Sequence, residues 1–206
     1  MKETPLFIGG SAGDLECRLF DSGDPRLVII CHPHPLFGGS MDHKIIYTLQ
    51  GAFAKLGLST LRFNYRGVGK SGGVYSGGDG ESEDGVSVAR ALTNMGFEVH
   101  VISGFSFGGM VASKVFTALD AANEIGDAKL ALIAPACTNF NMEKVKLGRG
   151  PLHVMGDEDH IVDSELQVRW SLRRGLSPVI VEGAGHFFHG KMSSIRQIVT
   201  NWYEQG

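Results

Sequence analysis

The chain has 206 residues and a mass of 22.1 kDa, enough for one domain with a substantial core and cramped for two, so residues 1–206 are read as a single domain. A formal charge of −3 and a pI near 6.2, with no cluster of Lys or Arg, leave nothing to attract a phosphate backbone or an anionic membrane surface. There is no secretory leader pattern at the start and no apolar run of the ~20 residues that cross a bilayer; Cys17, Cys31 and Cys137 are widely spaced without a C-x-x-C pair, which points to reduced thiols in a cytoplasmic protein.

Residues 1–25, with LFIGG and LECRLF on either side of a glycine turn, fit an antiparallel hairpin at a sheet edge. From residue 26 onward, β-rich apolar runs alternate with helical patterns, the signature of βαβ units and a mostly parallel sheet. Strand 26–33 precedes helix 41–57, which Gly57 closes; strand 58–67 precedes helix 81–96, with acids in its first turn. Strand 98–104 leads to helix 110–123. Two strands follow at 128–136 and 151–159, then a helix at 163–176 capped by Asp163 or Ser164, a strand at 177–185 and a closing helix at 193–205. The strands are continuously apolar, as expected where helices cover both faces of a sheet.

The chain holds three G-x-S-x-G pentapeptides, and context separates them. The one at 9–13 joins two short strand-like stretches and reads as a turn; the one at 69–73 is followed by VYSGGDGES and reads as a loop. Only Ser106 has a β-branched strand before it and a helix former after it, which is the setting of a nucleophile elbow. A serine hydroxyl needs a base and a group that orients the base. His186 directly follows the last strand, at the carboxyl edge where open α/β sheets bind ligands, with His189 as the fallback. His100 and His153 sit in strand patterns and read as packed; His43 and His160 lie near helix starts and read as water-facing. The acid should follow the preceding strand. Asp159 has the reach, Asp157 is the alternative, and Asp163 fits a helix cap.

An oxyanion needs two backbone N–H donors. Phe107, after the nucleophile, is one candidate. The other should come from the loop CHPHPLFGGSMDHK; Pro33 and Pro35 have no N–H, which leaves His34, preferred, and Leu36. His32 and His34 also admit a metal-binding reading, but no further ligand set stands near them in the sequence, and no metal or cofactor is expected.

CHPHPLFGGSMDHK, LRFNYRGVGKSGG, GFSFGG, GDEDHIV and GAGHFFHG, in that order, resemble the small serine α/β-hydrolases without a lid domain, of the dienelactone-hydrolase-like kind. The resemblance covers nearly the whole chain from about residue 5. It implies an α/β-hydrolase fold with a mostly parallel sheet of about eight strands, a Ser106, Asp159, His186 triad, and carboxylic ester hydrolysis. Two positions depart from those relatives. Dienelactone hydrolases proper use a cysteine where Ser106 stands, so their lactone cleavage is not implied, and Gly185 stands where an acidic residue often precedes the histidine.

Residues 137–150 are too short a connection for a cap domain, so an open site and short, soluble acyl esters are expected. Leu36, Phe37, Phe105, Phe107, Phe140, Met142 and Phe187 are candidates for an acyl pocket, each with an equally ordinary place in the core. Thioesterase or amidase chemistry would use the same acyl-enzyme. Two rival readings are a hydrolase-fold scaffold without activity and a nucleotide-binding protein. GVGKSG at 67–72 satisfies G-x-G-x-x-G, but no helix pattern begins at Ser71 to present its N-terminus to a phosphate.

Overall fold

In the computed structural model, which describes residues 2–205, eight strands form one sheet: β1 (Thr4–Gly10), β2 (Gly13–Phe20), β3 (Arg26–Cys31), β4 (Ser59–Phe63), β5 (Glu98–Phe105), β6 (Lys129–Ile133), β7 (Leu152–Gly156) and β8 (Val179–Val181). Their spatial order is β1-β2-β4-β3-β5-β6-β7-β8. β1 and β2 form the antiparallel edge hairpin and β2 joins β4 antiparallel; every pair from β4 to β8 is parallel. This is the α/β-hydrolase fold that the resemblance implies, and its mostly parallel sheet is the one expected from the alternation of strands and helices.

Helices α1 (Lys44–Lys55), α2 (Asp79–Asn94), α3 (Phe107–Ala121), α4 (Ser164–Arg173) and α5 (Met192–Gln205) cover both faces. The two-residue period of a strand divides the core accordingly. From β3, Leu27, Ile29 and Cys31 pack with residues of α2 and α3, while Val28 and Ile30 pack with residues of α1 and α5. Both halves are buried, which explains why these strands read as unbroken apolar runs.

Two helices begin two or more residues earlier than the periodicity predicts. α2 starts at Asp79 instead of Glu81, because the buried Glu81 carboxylate reaches back to accept from the N–H groups of Ser76 at 2.8 Å and Gly78 at 2.6 Å, capping the helix. α3 starts at Phe107 instead of Met110, since Gly108 and Gly109 are helical here and give up their flexibility to let the helix sit close to the sheet. The GVGKSG segment is a loop: Ser71 Oγ accepts from the Glu16 N–H at 2.9 Å and donates to the Asn64 carbonyl at 2.8 Å, fastening it to β2. Between β6 and β7 the chain runs from residue 134 to 151 without a helix. Arg174, at the end of α4, donates to the carbonyls of Met142 at 2.6 Å, Glu143 at 2.7 Å and Val145, and so holds this connection down against the body. Cys17, Cys31 and Cys137 are free thiols. No helix among the described residues is long and apolar enough to cross a membrane.

Candidate active site

β5 enters the site at Phe105 and α3 leaves it at Phe107, so Ser106 makes the turn alone, at φ 57° and ψ −120°. A non-glycine residue with positive φ is strained and is held only by its surroundings. The glycines on either side are part of that surrounding. A Cβ on Gly104 would meet the Gly108 carbonyl and stand 2.8 Å from the Gly109 nitrogen; one on Gly108 would meet the end of β3, 2.5 Å from the His32 carbonyl oxygen. The Ser106 backbone is also tied to the neighbouring strand, donating to the Ile133 carbonyl at 2.9 Å and accepting from the Ala136 N–H at 3.0 Å.

His186 comes to this serine from the loop after β8. Its Nε2 lies 2.9 Å from Ser106 Oγ and its Nδ1 lies 2.7 Å from Asp159 Oδ2. With Nδ1–H donating to the carboxylate, Nε2 is left to accept the serine proton. The loop is braced from β7: Glu158 N–H donates to the Ala184 carbonyl at 3.0 Å and Ala184 N–H to Asp157 Oδ1 at 3.2 Å. Asp157, exposed, therefore supports the histidine loop, and Asp159, buried, is the carboxylate that reaches the ring. Asp163 caps α4, accepting from the Leu166 N–H at 2.9 Å, and His189 is exposed.

Asp159 is held from behind as well. Its Oδ1 accepts from the N–H groups of Ile161 and Val162, both at 2.9 Å, and its Oδ2 also receives Gln167 Nε2 at 3.3 Å. Burial alone would raise this carboxyl; the bond and charge of His186, with the Val162 and Ile161 N–H groups, outweigh it and keep it below the usual aspartate range. Gln167 is fully buried, donates to the Val162 carbonyl at 2.6 Å, and meets His153 Nε2 at 3.4 Å; His153 Nδ1 lies 2.5 Å from Ser171 Oγ. A continuous buried polar chain thus runs from Ser106 to Ser171. Gln167 is not among the candidates the sequence offers, although its spacing from Trp170 and Ser171, three and four residues on, marks one helical face and makes a polar residue there conspicuous.

The loop from Pro33 to Gly39 forms the other wall. His34 starts a 3-10 turn (Pro35–Phe37); its carbonyl accepts from the N–H groups of Phe37 at 3.1 Å and Gly39 at 3.0 Å, and its Nδ1 accepts from the Leu36 N–H at 3.2 Å. Tyr75 OH meets His34 Nε2 at 3.0 Å. Of the two donors left open by the sequence, the Leu36 N–H is thereby engaged, whereas those of His34 and Phe107 make no hydrogen bond among the described residues. His34 and Phe107 are neighbours, with ring centroids 4.7 Å apart. His32, fully buried, has both ring nitrogens occupied, Nδ1 by the Pro33 carbonyl at 2.7 Å and Nε2 by the Tyr65 N–H at 3.1 Å, and burial pushes its pKa down to about 3. That imidazole ties the loops after β3 and β4 together instead of facing a ligand. No group of three or more His, Cys, Asp or Glu residues positioned to hold a metal occurs among the described residues.

A pocket of about 330 Å³ opens over Ser106 and His186, walled by His34 and Phe37, by His43, and by Ile161 and Phe187. Phe37 and Phe187, two of the acyl-pocket candidates, stand on this wall. Five other candidates are not on the wall, the buried Phe107 among them. Leu36 is 67 % exposed beside the mouth. Phe105, alternating with the residues of β5 that face α2 and α3, is buried on the α1 side beneath His43 and His186. Met142 is drawn into the core by the clamped connection. Phe140 packs on Phe107 with ring centroids 5.3 Å apart. His43, expected to face water, is instead half-buried at the N-cap of α1 and lines the pocket; its position before an amphipathic helix is the only sequence signal. Concavities of about 370 and 710 Å³ lie at the opposite edge of the sheet, near Val99 and Lys129, and contain no nucleophile paired with a base.

No family model matches the chain. A structure described as an alpha-beta serine hydrolase homologue from Coxiella burnetii is 35 % identical, with 98 % of this chain and 97 % of that one covered and a TM-score of 0.86. XC6422 from Xanthomonas campestris, described as a member of the a/b serine hydrolases without lid, is 28 % identical over 100 % of this chain and 95 % of its own, with a TM-score of 0.88. The uncharacterized protein RP471 of Rickettsia prowazekii is 28 % identical over 96 % of this chain and 87 % of its own.

Proposed function

Because the chain belongs to the lidless α/β serine hydrolases, we propose that it cleaves carboxylic esters, short and soluble ones, through an acyl-enzyme formed on Ser106. One observation carries the reading: the unbroken line from Ser106 Oγ through His186, at 2.9 and 2.7 Å, to Asp159, on a strained elbow at the base of an open pocket. His186 Nε2 takes the hydroxyl proton as Oγ attacks the ester carbonyl. The imidazolium that forms is stabilised by Asp159, which stays ionised. The unengaged N–H groups of His34 and Phe107 receive the oxyanion. His186 then protonates the departing alcohol, and takes a proton from the water that releases the acid.

A pocket of about 330 Å³ supports small acyl groups, and the connection over residues 134–151 adds no roof. We take residues 1–206 to work as a single domain and, given three free cysteines, in the reducing cytoplasm. Turnover of p-nitrophenyl esters from acetate to laurate, with fluorophosphonate labelling, tests the proposal. Ser106→Ala should fold, resist the label and lose almost all activity. Retained turnover in that variant rejects the mechanism, and a rate maximum at long chains rejects the substrate range.

A further inference from the structure

Resting on the esterase reading and deepening it, we propose that His43 determines specificity: its Nε2–H hydrogen-bonds a neutral acceptor on the substrate, so that preferred esters carry a carbonyl, ether or hydroxyl oxygen on the part held in the Ser106 pocket. The polar side-chain atoms on the pocket wall are nearly all committed to partners within the protein. Ser106 and His186 are engaged with each other. His34 has given Nδ1 to the Leu36 N–H and Nε2 to Tyr75. Phe37, Ile161 and Phe187 present only carbon. His43 is the remaining polar side chain of the lining, and half of it is committed: Nδ1 accepts from the Ile45 N–H at 3.3 Å as the N-cap of α1. A ring nitrogen that accepts an N–H carries no proton, so in the neutral ring the proton is on Nε2. No partner for that donor occurs among the described residues.

The ring is also fixed in place. It stacks on the buried Phe105 with centroids 5.4 Å apart and planes 21° from parallel, and lies 6.1 Å from Phe187. A donor on a helix cap with a packed ring behind it is preorganised. Burial, and the nearby His186, hold the imidazole below its ordinary pKa, so it presents a neutral N–H. An anionic acceptor is disfavoured, since this apolar wall offers it no counter-charge to offset its desolvation. A neutral oxygen gains one hydrogen bond in a site otherwise made of carbon, the arrangement in which a single polar contact discriminates best.

Two ester pairs of matched chain length test this. In p-nitrophenyl pentanoate against p-nitrophenyl 4-oxopentanoate the acceptor is in the acyl part; in butyl acetate against 2-methoxyethyl acetate it is in the alcohol. Each kcat/KM ratio is normalised to the hydroxide-catalysed rates. In the wild type one pair should favour the acceptor by about 3- to 10-fold, the size of one neutral hydrogen bond. His43→Asn keeps an N-capping oxygen but has no donor at the Nε2 position, and its ratio should fall to about 1. His43→Gln places an amide donor near that position and should keep the preference within about twofold. Three results overturn the inference while leaving an esterase: no preference in either pair with all four esters turned over, a preference that persists in His43→Asn, or equal loss in both variants, which would trace the effect to the helix cap. Failure of the wild type to hydrolyse any of the four overturns the esterase reading, and this inference with it.

Discussion

Replacing Gly108 with alanine tests how the elbow is held. An alanine Cβ there stands 2.5 Å from the His32 carbonyl oxygen and 2.6 Å from the Cys31 carbonyl carbon, where ordinary contact begins near 3.4 Å. Both neighbours are backbone at the end of β3 and neither can swing aside, so the first turn of α3 must retreat from the sheet by about 1 Å. Overpacking of this kind costs about 1–3 kcal/mol, with the upper end expected where no flexible side chain can yield. For a domain of this size that lowers Tm by roughly 5–10 °C. The same displacement carries the Phe107 N–H away from the His34 N–H, and misplacing a transition-state contact by 1 Å can cost about 100-fold in kcat/KM. Differential scanning calorimetry and p-nitrophenyl acetate kinetics read the two effects. Gly51→Ala, in α1 with nothing within 4 Å of the added Cβ, is the control: it should stabilise by about 0.5–1 kcal/mol and leave kcat/KM unchanged. Wild-type Tm and kcat/KM in Gly108→Ala would refute the account of the elbow.

Asp159→Asn should leave the fold intact and lower kcat by about 10³- to 10⁴-fold, because an amide can hold His186 in the wrong tautomer; steady-state kinetics with circular dichroism as a fold check decides it, and a loss under tenfold contradicts the assigned role. Gln167→Leu strips the Val162 carbonyl and the His153 N–H of their buried partner and should cost about 2–4 kcal/mol in urea unfolding, with a fall in kcat greater than any rise in KM; an unchanged urea midpoint rejects it. Burial holds His32 at a pKa of about 3 and His153 at about 4. The unfolded chain therefore takes up protons that the folded one refuses, and stability present above pH 6.5 is lost as pH falls toward 4.5, by up to about 1.4 kcal/mol per histidine per pH unit. His153→Gln should remove one histidine's share of that slope and so flatten it; a wild-type urea midpoint that is flat from pH 7 to 4.5 contradicts the prediction.

The strand and helix order was legible because each βα unit carries its own period, and Ser106 stood out because only one of three similar pentapeptides lies between a strand and a helix. His186 and Asp159 were legible by their place just after strands, since the carboxyl edge of a parallel sheet gathers such residues whatever their separation in sequence. Side-chain direction was much less so. Phe105 and Met142 are as apolar as Phe187, and composition has no means to say that β5 turns one toward α1 or that Arg174 pulls the other inward. His43 and Gln167 were hidden for a related reason: a polar residue near a helix start or on a helix face looks solvent-exposed until another element covers it, here Phe105 and Phe187 for the one and His153 for the other.

The connection from β6 to β7 contributes no residue to the pocket wall, and Phe37 on that wall stands 86 % exposed, so the mouth opens to solvent. Under the proposed mechanism the acyl group on Ser106 therefore waits in contact with whatever nucleophile the medium supplies. With no closure step to select water, added methanol or ethanol should divert the acyl group into a new ester in proportion to its concentration, making the same pocket a transesterification catalyst in mixed solvents.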